Sequence, residues 1–496
     1  MHQSYRKALV LAGAFLNAFP LSLLSFFGNL LPYIDSYCYA YRDQIVINID
    51  PLWTASVFLG SFILGMIFST PAERCFGMHL SILLANIGAI FSVSSGYFAI
   101  KEPLALALAF GGLQGVFVGI VYAMLIKLLL NTMPDHGGTA TGLMSAGPVL
   151  GALINVGVAY AVINPNNKKP DVEMNNKVFF SDKGLTDRVP YYFLVVGVMT
   201  ATFTLIGISL IYIGSWKTRQ NDDEETLTES VGIDSSKTVT ASNKPETSSL
   251  IVSGARVYGN KDHQQVCKTK ECDSVSSPAN DGTVRENRKT YSLQSNGTKK
   301  INAVADKSPR EIIKTARFWL IWLAYVSSNH TNYLHLNLYK RYGERVIQDD
   351  SLLVTCGIIS NAGMVIVRPL VGVASDKIGI RGINVYLNAA SCLFMSLMII
   401  VLHTCPWIYL ILVVVEYMGT SPHTMLFSLL TAYEFGQTNC GSNMGLIRSG
   451  NIALVLLEPF FVDFLIQTIG WDWLFLTGSL ASAVATAAIM ALDYFP

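Results

Sequence analysis

Charge is what this chain has least of. Only 14% of its 496 residues are Asp, Glu, Lys or Arg, against about 25% in soluble domains, while 51% are hydrophobic and mean hydropathy is +0.41. That balance excludes an ordinary water-soluble fold. The charges nearly cancel, at net +1, so nothing argues for nucleic acid or an acidic partner. Cysteine is scarce and scattered. Cys38, Cys75, Cys267, Cys272, Cys356, Cys392, Cys405 and Cys440 lie mostly within or beside apolar segments, which is no disulfide framework, and the Cys267–Cys272 spacing fits no zinc pattern. A nucleophile–base pair, a phosphate-binding loop and a metal motif are all missing, so the expectation is no enzyme, no cofactor and no metal.

What the chain has instead is long apolar runs. A membrane span needs about 20 largely apolar residues. About twelve runs qualify, at roughly 8–32, 52–74, 78–100, 103–130, 138–163, 190–214, 317–338, 351–375, 382–402, 405–432, 442–468 and 472–492. They predict an all-α membrane protein with twelve transmembrane helices. The basic start MHQSYRK leads into an apolar run too long for a signal-peptide core, so it reads as the first span. One interruption is long. Residues 215–312 are rich in Ser, Thr, Asn, Lys, Asp and Glu and cannot bury enough apolar surface to fold alone. The expected layout is a six-helix half at 1–214, a disordered linker at 215–312 and a second six-helix half at 313–496. Two such halves are the sequence form of an internal repeat. A faint one is visible: AERCFGMH (72–79) after the second run and SDKIGIR (375–381) after the eighth carry acid, base and glycine in the same order.

The most informative stretch is GMVIVRPLVGVASDKIGIR, residues 363–381. Arg368 interrupts a run destined for hydrocarbon, where a charge costs at least about 2.5–3.5 kcal/mol and usually marks a substrate or ion path. The run ends in Gly372, Asp376, Lys377, Gly379 and Arg381. Asp376 suits a helix N-terminus, where free N–H groups favour an anion. Lys377 and Arg381 suit carboxylates or lipid headgroups, and an ordinary turn with snorkelling charges is the plain alternative. Glu73, Arg74 and Gly77 form the matching turn, more degenerate because Ser69 stands where the other copy has Gly372.

This turn resembles the signature loop of the major facilitator superfamily. Further stretches are similar to its oxalate–formate antiporter-like and monocarboxylate transporter branch: FGNLLPYIDSY (27–37), the region Gly111–Gly151, NPNNKKPD (164–171), YKRYGERVIQDDSLL (339–353), and Arg368-Pro369 followed by Gly372. The resemblance covers nearly all the membrane portion. It implies the major facilitator fold, two six-helix halves rocking about a midplane site, and transport by symport or antiport. It also places both termini and the linker in the cytoplasm, which the slight excess of Lys and Arg on that side does not settle alone.

Several residues are candidates for the site. The fork of Arg368 suits a carboxylate bidentately, and a structural pair with Glu416 or Glu458 is the other reading. Tyr122, in GIVYAM, stands where the family places a substrate-facing tyrosine, and it reads equally as a core residue. Asn29 and Tyr33 read as cavity-mouth or helix-packing groups. In SSNHTNYLHLN (327–337), Asn332 and Tyr333, with Asn329, are cavity candidates, and His330 or His335 would titrate near neutral pH unless packed. Arg448 matches the second cation that bacterial oxalate antiporters carry in the eleventh helix, with a pair to Glu73 or Glu434 as the alternative. Gly147, Pro148 and Gly151 resemble part of the family's glycine–proline motif, whose physical content is close packing and a bend. Two departures count against a proton-coupled lactate or pyruvate mechanism. The first span has no interior charge, and the residue four before Arg368 is Met364, not aspartate.

The leading expectation is a secondary carrier for a small organic anion, with lipid as its only other obligate partner and the plasma membrane as the default location, an organelle membrane being the alternative. A cationic or neutral solute carrier built on Glu416 or Glu458 is the second reading. A non-transporting nutrient sensor is the third. It would signal through regulatory proteins or kinases acting on the Ser/Thr-rich linker.

Overall fold

The computed structural model describes residues 2–41, 49–51, 53–168, 170–174, 177–236, 306–347 and 349–495. The side chains of Glu458 and Asp463 lie outside the described set. Nine helical segments among the described residues are long and apolar enough to cross a bilayer: Trp53–Phe76, Met78–Ala99, Pro103–Thr132, Pro134–Ile163, Lys183–Ser215, Thr355–Ile378, Ile380–Thr404, Pro406–Phe435 and Trp471–Ala491. They are the second to sixth, eighth to tenth and twelfth spans. The other three have features of their own. The first is divided at Pro20 into His2–Asn17, a short Phe19–Leu21 turn and Ser22–Ala40, because proline removes an N–H and crowds the preceding turn. The seventh, Ala316–Gly343, is continuous but carries the polar SSNHTNYLHLN run. The eleventh is divided into Cys440–Arg448 and Gly450–Thr468. The result is an all-α, twelve-helix membrane fold. With an even number of spans, both chain ends lie on one face, called here the terminal face.

The chain separates into two compact units, Met1–Gln220 with Ala303–Pro496, and Asn221–Asn302. The expected linker limits, 215 and 312, both fall within described helix. The sixth helix runs Val189–Ser236, and a short helix at Pro309–Ile312 precedes the seventh. Residues 215–236 contain no proline, and a helix already nucleated in an apolar span propagates through polar residues on backbone hydrogen bonds alone. The rest of the expected linker, 237–305, lies outside the described residues. On the opposite face, a small antiparallel hairpin, Val172–Met174 with Lys177–Phe179, was not legible in the sequence.

The fifth span packs through small residues on two sides, against the second half on one and against its own half on the other. A Cβ on Gly138 would meet Gly372 and Ser375, and one on Gly142 would meet the Arg368 carbonyl, so this side lies against the eighth span. Gly147 and Gly151 lie against Phe15, Phe19 and Ser22 of the first span. Asn155 adds a hydrogen bond to the Ser22 hydroxyl at 2.9 Å. An apolar cluster also crosses between halves, placing Met66 and Tyr122 with Leu429, Cys440 and Met444.

The two signature turns share one backbone conformation. Gly77 has φ 74°, ψ 163° and Gly379 has φ 95°, ψ 146°. Both lie in a region that is essentially glycine-only, so the repeat seen faintly in sequence has the same physical cause in both copies. Gly379→Ala is therefore expected to destabilise the protein by about 1–3 kcal/mol. Thermal unfolding of the detergent-solubilised protein checks this, and an unchanged midpoint would show that the turn carries no strain.

Candidate substrate-binding site

On the terminal face the signature turn of the eighth span meets the start of the fifth. Asp376 accepts hydrogen bonds from the Gly138 N–H at 2.7 Å, the Thr139 N–H at 2.8 Å and the Thr139 hydroxyl at 2.6 Å. These N–H groups open the fifth helix and have no carbonyl of their own to reach, so a carboxylate belongs there. Arg381 pairs with Glu434 at 2.5 Å and Asp493 at 2.6 Å, and Glu434 pairs with Arg317 at 2.9 Å. Lys377 is exposed. In the first half, Glu73 pairs with Lys127 at 2.8 Å, and Arg74 donates across to Asn439 Oδ1 at 2.7 Å. Lys127 also donates to the Thr438 carbonyl at 3.2 Å.

About 12 Å of helix above these turns stand two arginines. Arg368 is eight residues from Asp376, and Arg448 is eight residues from Cys440 at the start of the eleventh span, so the two lie at similar depth. Arg368 is half-buried. Its Nε donates to Ser421 Oγ at 2.8 Å and its Nη1 to the Ser145 carbonyl at 2.7 Å. Arg448 is buried. Its Nη2 donates to the Thr424 carbonyl and to Ser428 Oγ, both at 2.6 Å, and reaches the Tyr122 hydroxyl at 3.4 Å. The rings of Phe62, Tyr122 and Tyr325 surround its guanidinium, with centroids 5.8, 5.1 and 5.9 Å away. Tyr122 packs directly on Arg448 and is also an electrostatic neighbour of Arg368.

Every partner of either arginine among the described residues is neutral. Of the acidic groups that sequence reasoning offered, Glu73 and Glu434 are engaged elsewhere, Glu416 stands alone, and the Glu458 side chain lies outside the described residues. Glu73 holds Lys127, and Glu434 holds Arg317 and Arg381, so neither pairs with Arg448. Glu416 is fully enclosed in the tenth span beside Ser391, with neither carboxyl oxygen hydrogen-bonded, so it does not pair with Arg368. Nε of Arg448 is buried without any partner. A buried charge without a counter-charge is costly, so the pair presents unsatisfied positive potential and donors to whatever enters between them.

Two helix breaks lie beside the arginines, and one of them supplies a neutral partner. The tenth span divides into Pro406–Thr420 and His423–Phe435, and Ser421 sits in the break ahead of Pro422, free to turn its hydroxyl to Arg368. The eleventh breaks at Ser449, directly after Arg448. Gly450 there admits Trp322 and Val326 where a Cβ would collide, and Trp322 Nε1 donates to Ser449 Oγ at 3.2 Å. Ser-Gly pairs are a recognised cause of such kinks.

The structure therefore brings together Arg368, Arg448 and Tyr122, and adds Tyr325, Ser145, Ser421, Thr424 and Ser428, which sequence reading missed. Pro422 was a signal for Ser421, since proline mid-span releases backbone and side-chain groups. Tyr325 carried no signal. Asn29 is exposed and Tyr33 stacks on Phe180, 5.2 Å between centroids, near the outer end of the first span. Asn332 Oδ1 is buried and unpartnered, while Tyr333 packs against the core of the second half. His335 bonds the Val413 carbonyl at 3.1 Å and packs edge-on against Tyr417, and His330 bonds Thr477 at 3.1 Å. Both histidines are packed side chains here. The hydrogen bonds found here between the halves lie at the level of the arginines or on the terminal side of it.

Comparison with known proteins agrees with this architecture. The fold is similar to that of the E. coli fucose:proton symporter, at TM-score 0.62 and 12% identity over 99% of both chains. It is also similar to a proton:xylose symporter, at TM-score 0.58 and 9% identity over 100% of this chain and 96% of that one. No curated protein gives a significant sequence match. The Major Facilitator Superfamily model matches residues 10–450, and with it the chain is placed: it is a multi-pass membrane protein of the Major Facilitator Superfamily, with that family's transporter fold.

Proposed function

We propose that the protein is a secondary carrier that moves a small organic anion by alternating access, with Arg368 and Arg448 as the binding cations and Tyr122 as a hydrogen-bonding group beside them. One observation carries the reading: both arginines lie at similar depth, in opposite-running helices of one half, and neither has an acidic partner among the described residues. Uncompensated guanidinium groups in a membrane interior are expensive to keep. A substrate carboxylate supplies the missing charge, and two cations suit a dicarboxylate or a carboxylate with a second acceptor. The concentration of inter-half hydrogen bonds on the terminal face fits a state closed to that side and able to load from the other. With no nucleotide-binding motif in the sequence, the driving force is a gradient of substrate or coupled ion. The plasma membrane, termini inward, is the proposed setting.

Sugar symporters share the fold, but identities of 9–12% carry fold alone. A cationic substrate on Glu416 is disfavoured by that residue's complete enclosure.

Counterflow in proteoliposomes, with labelled oxalate, formate, pyruvate, lactate and succinate, tests the proposal. Arg368→Gln and Arg448→Gln should each weaken apparent affinity by about 2–5 kcal/mol, at least roughly thirtyfold, because truncating one partner leaves the other charge unpaired. Arg368→Lys should also be impaired, since charge remains while the fork that holds Ser421 and Ser145 is lost. Normal counterflow in the Gln variants would end the anion assignment, and ligand binding without any counterflow would favour a sensor. Glu416→Gln should retain anion counterflow, and its loss would return that carboxyl to the substrate site.

A further inference from the structure

The last residues before the seventh span are tied into the contacts that hold the terminal face shut. Asp306 accepts from the Thr438 N–H at 3.0 Å and from the Thr438 hydroxyl at 2.5 Å. The Lys307 N–H donates to the Phe435 carbonyl at 3.0 Å, and the Lys307 carbonyl accepts from Asn443 at 3.1 Å and Asn439 at 3.3 Å. Gly436, at φ +84°, leaves open the space in which the Asp306 carboxylate sits, space that any Cβ would fill. A two-residue strap is thus seated on the turn between the tenth and eleventh spans.

That turn is also where the second half grips the first. Thr438 offers its carbonyl to Lys127 and Asn439 its side-chain oxygen to Arg74. Just beyond, the Ser442 N–H donates to Thr70 Oγ1 at 3.2 Å and the Ser442 hydroxyl to the Ile67 carbonyl at 2.6 Å. Thr438 therefore faces both ways, its N–H and hydroxyl held by Asp306 and its carbonyl by the opposite half. Lys127 is itself an electrostatic neighbour of Asp306, so the carboxylate attracts the first half directly as well. Partial burial pushes the Asp306 carboxyl up, but the Thr438 and Gln437 hydrogen bonds and Lys127 outweigh it and hold the group below the usual aspartate range. It is ionised, and the strap intact, at neutral pH.

We propose that Asp306 is a positioning residue for the terminal-face gate: by seating the 436–439 turn it sets how firmly the two halves hold shut on that side. The inference rests on the alternating-access reading above, but its measurement needs no substrate. It makes the junction between the 221–302 segment and the seventh span a control point, because displacement at 306–307 reaches Lys127 and Arg74 contacts through one turn.

The chain contains its own reporter. Cys440 is fully buried under this turn, with Lys127, Glu73 and Asp306 as electrostatic neighbours, while Cys75, one residue after Arg74, is exposed. In the full-length protein in membranes, N-ethylmaleimide should alkylate Cys75 readily and Cys440 only when the gate opens. Peptide mass spectrometry gives both rates in one sample. Asp306→Asn should raise the Cys440 rate roughly tenfold or more relative to Cys75, the scale of one lost charge-assisted hydrogen bond. Thr438→Val, which removes only the hydroxyl, should raise it by less. Arg74→Ala should also open the gate, and its combination with Asp306→Asn should give less than the product of the two effects, since both act through one turn. Unchanged Cys440 labelling in both Asp306→Asn and Thr438→Val would overturn the proposal. So would purely multiplicative effects, or a lowered unfolding midpoint that accounts for the faster labelling. Failure of the anion counterflow experiment would leave these labelling results standing, so the two readings fail separately.

Discussion

A guanidinium group buried in a membrane protein must find acceptors for its donors and a counter-charge, and here it finds some of the first and, among the described residues, none of the second. Arg368 and Arg448 are each held by a backbone carbonyl and a serine hydroxyl, which orient the fork without neutralising it. The rest of the site follows from that constraint. The tenth span breaks at Ser421-Pro422, which frees the Ser421 hydroxyl for Arg368, and the eleventh breaks at Ser449-Gly450, directly after Arg448. Aromatic rings around Arg448 stabilise a cation through their faces while leaving its charge available.

The closed terminal face uses the opposite strategy. There charges are paired or capped: Asp376 on the fifth helix, Glu73 with Lys127, Glu434 with two arginines. Most of these groups are partly exposed, where single ion pairs contribute little. Such contacts suit a gate, since a closure worth only a few kcal/mol can be opened by substrate binding. The glycines at 138, 142 and 372 contribute a tight surface between the fifth and eighth spans, tied at its terminal end by the Asp376 hydrogen bonds and at its inner end by Arg368 on Ser145.

The symmetry between halves is more physical than textual. Gly77 and Gly379 adopt the same glycine-only conformation although the residues around them have diverged. Divergence is uneven in consequence. The eighth-span turn retains the helix-capping aspartate, whereas in the second-span turn Glu73 has become half of an ion pair with Lys127. Two copies of one turn therefore make two different kinds of contact on the terminal face.

Twelve helices, the position of the signature turn and the exceptional character of Arg368 were all determined by the sequence alone, because each is a local property: hydropathy over about 20 residues, glycine at a turn, a charge in an apolar run. The linker limits were not. Helix propagation past 215 depends on a nucleus formed in the span before it, and residues 306–312 are ordered by contacts with residues 435–443. The two readings of each arginine were separable only in three dimensions. Whether Arg368 meets Ser145, 223 residues away, or a glutamate of the tenth or eleventh span depends on which faces of the spans turn toward one another. In a chain apolar on nearly every face, periodicity does not specify that orientation, and only the packing of the small residues in the fifth span against the first and eighth decides it.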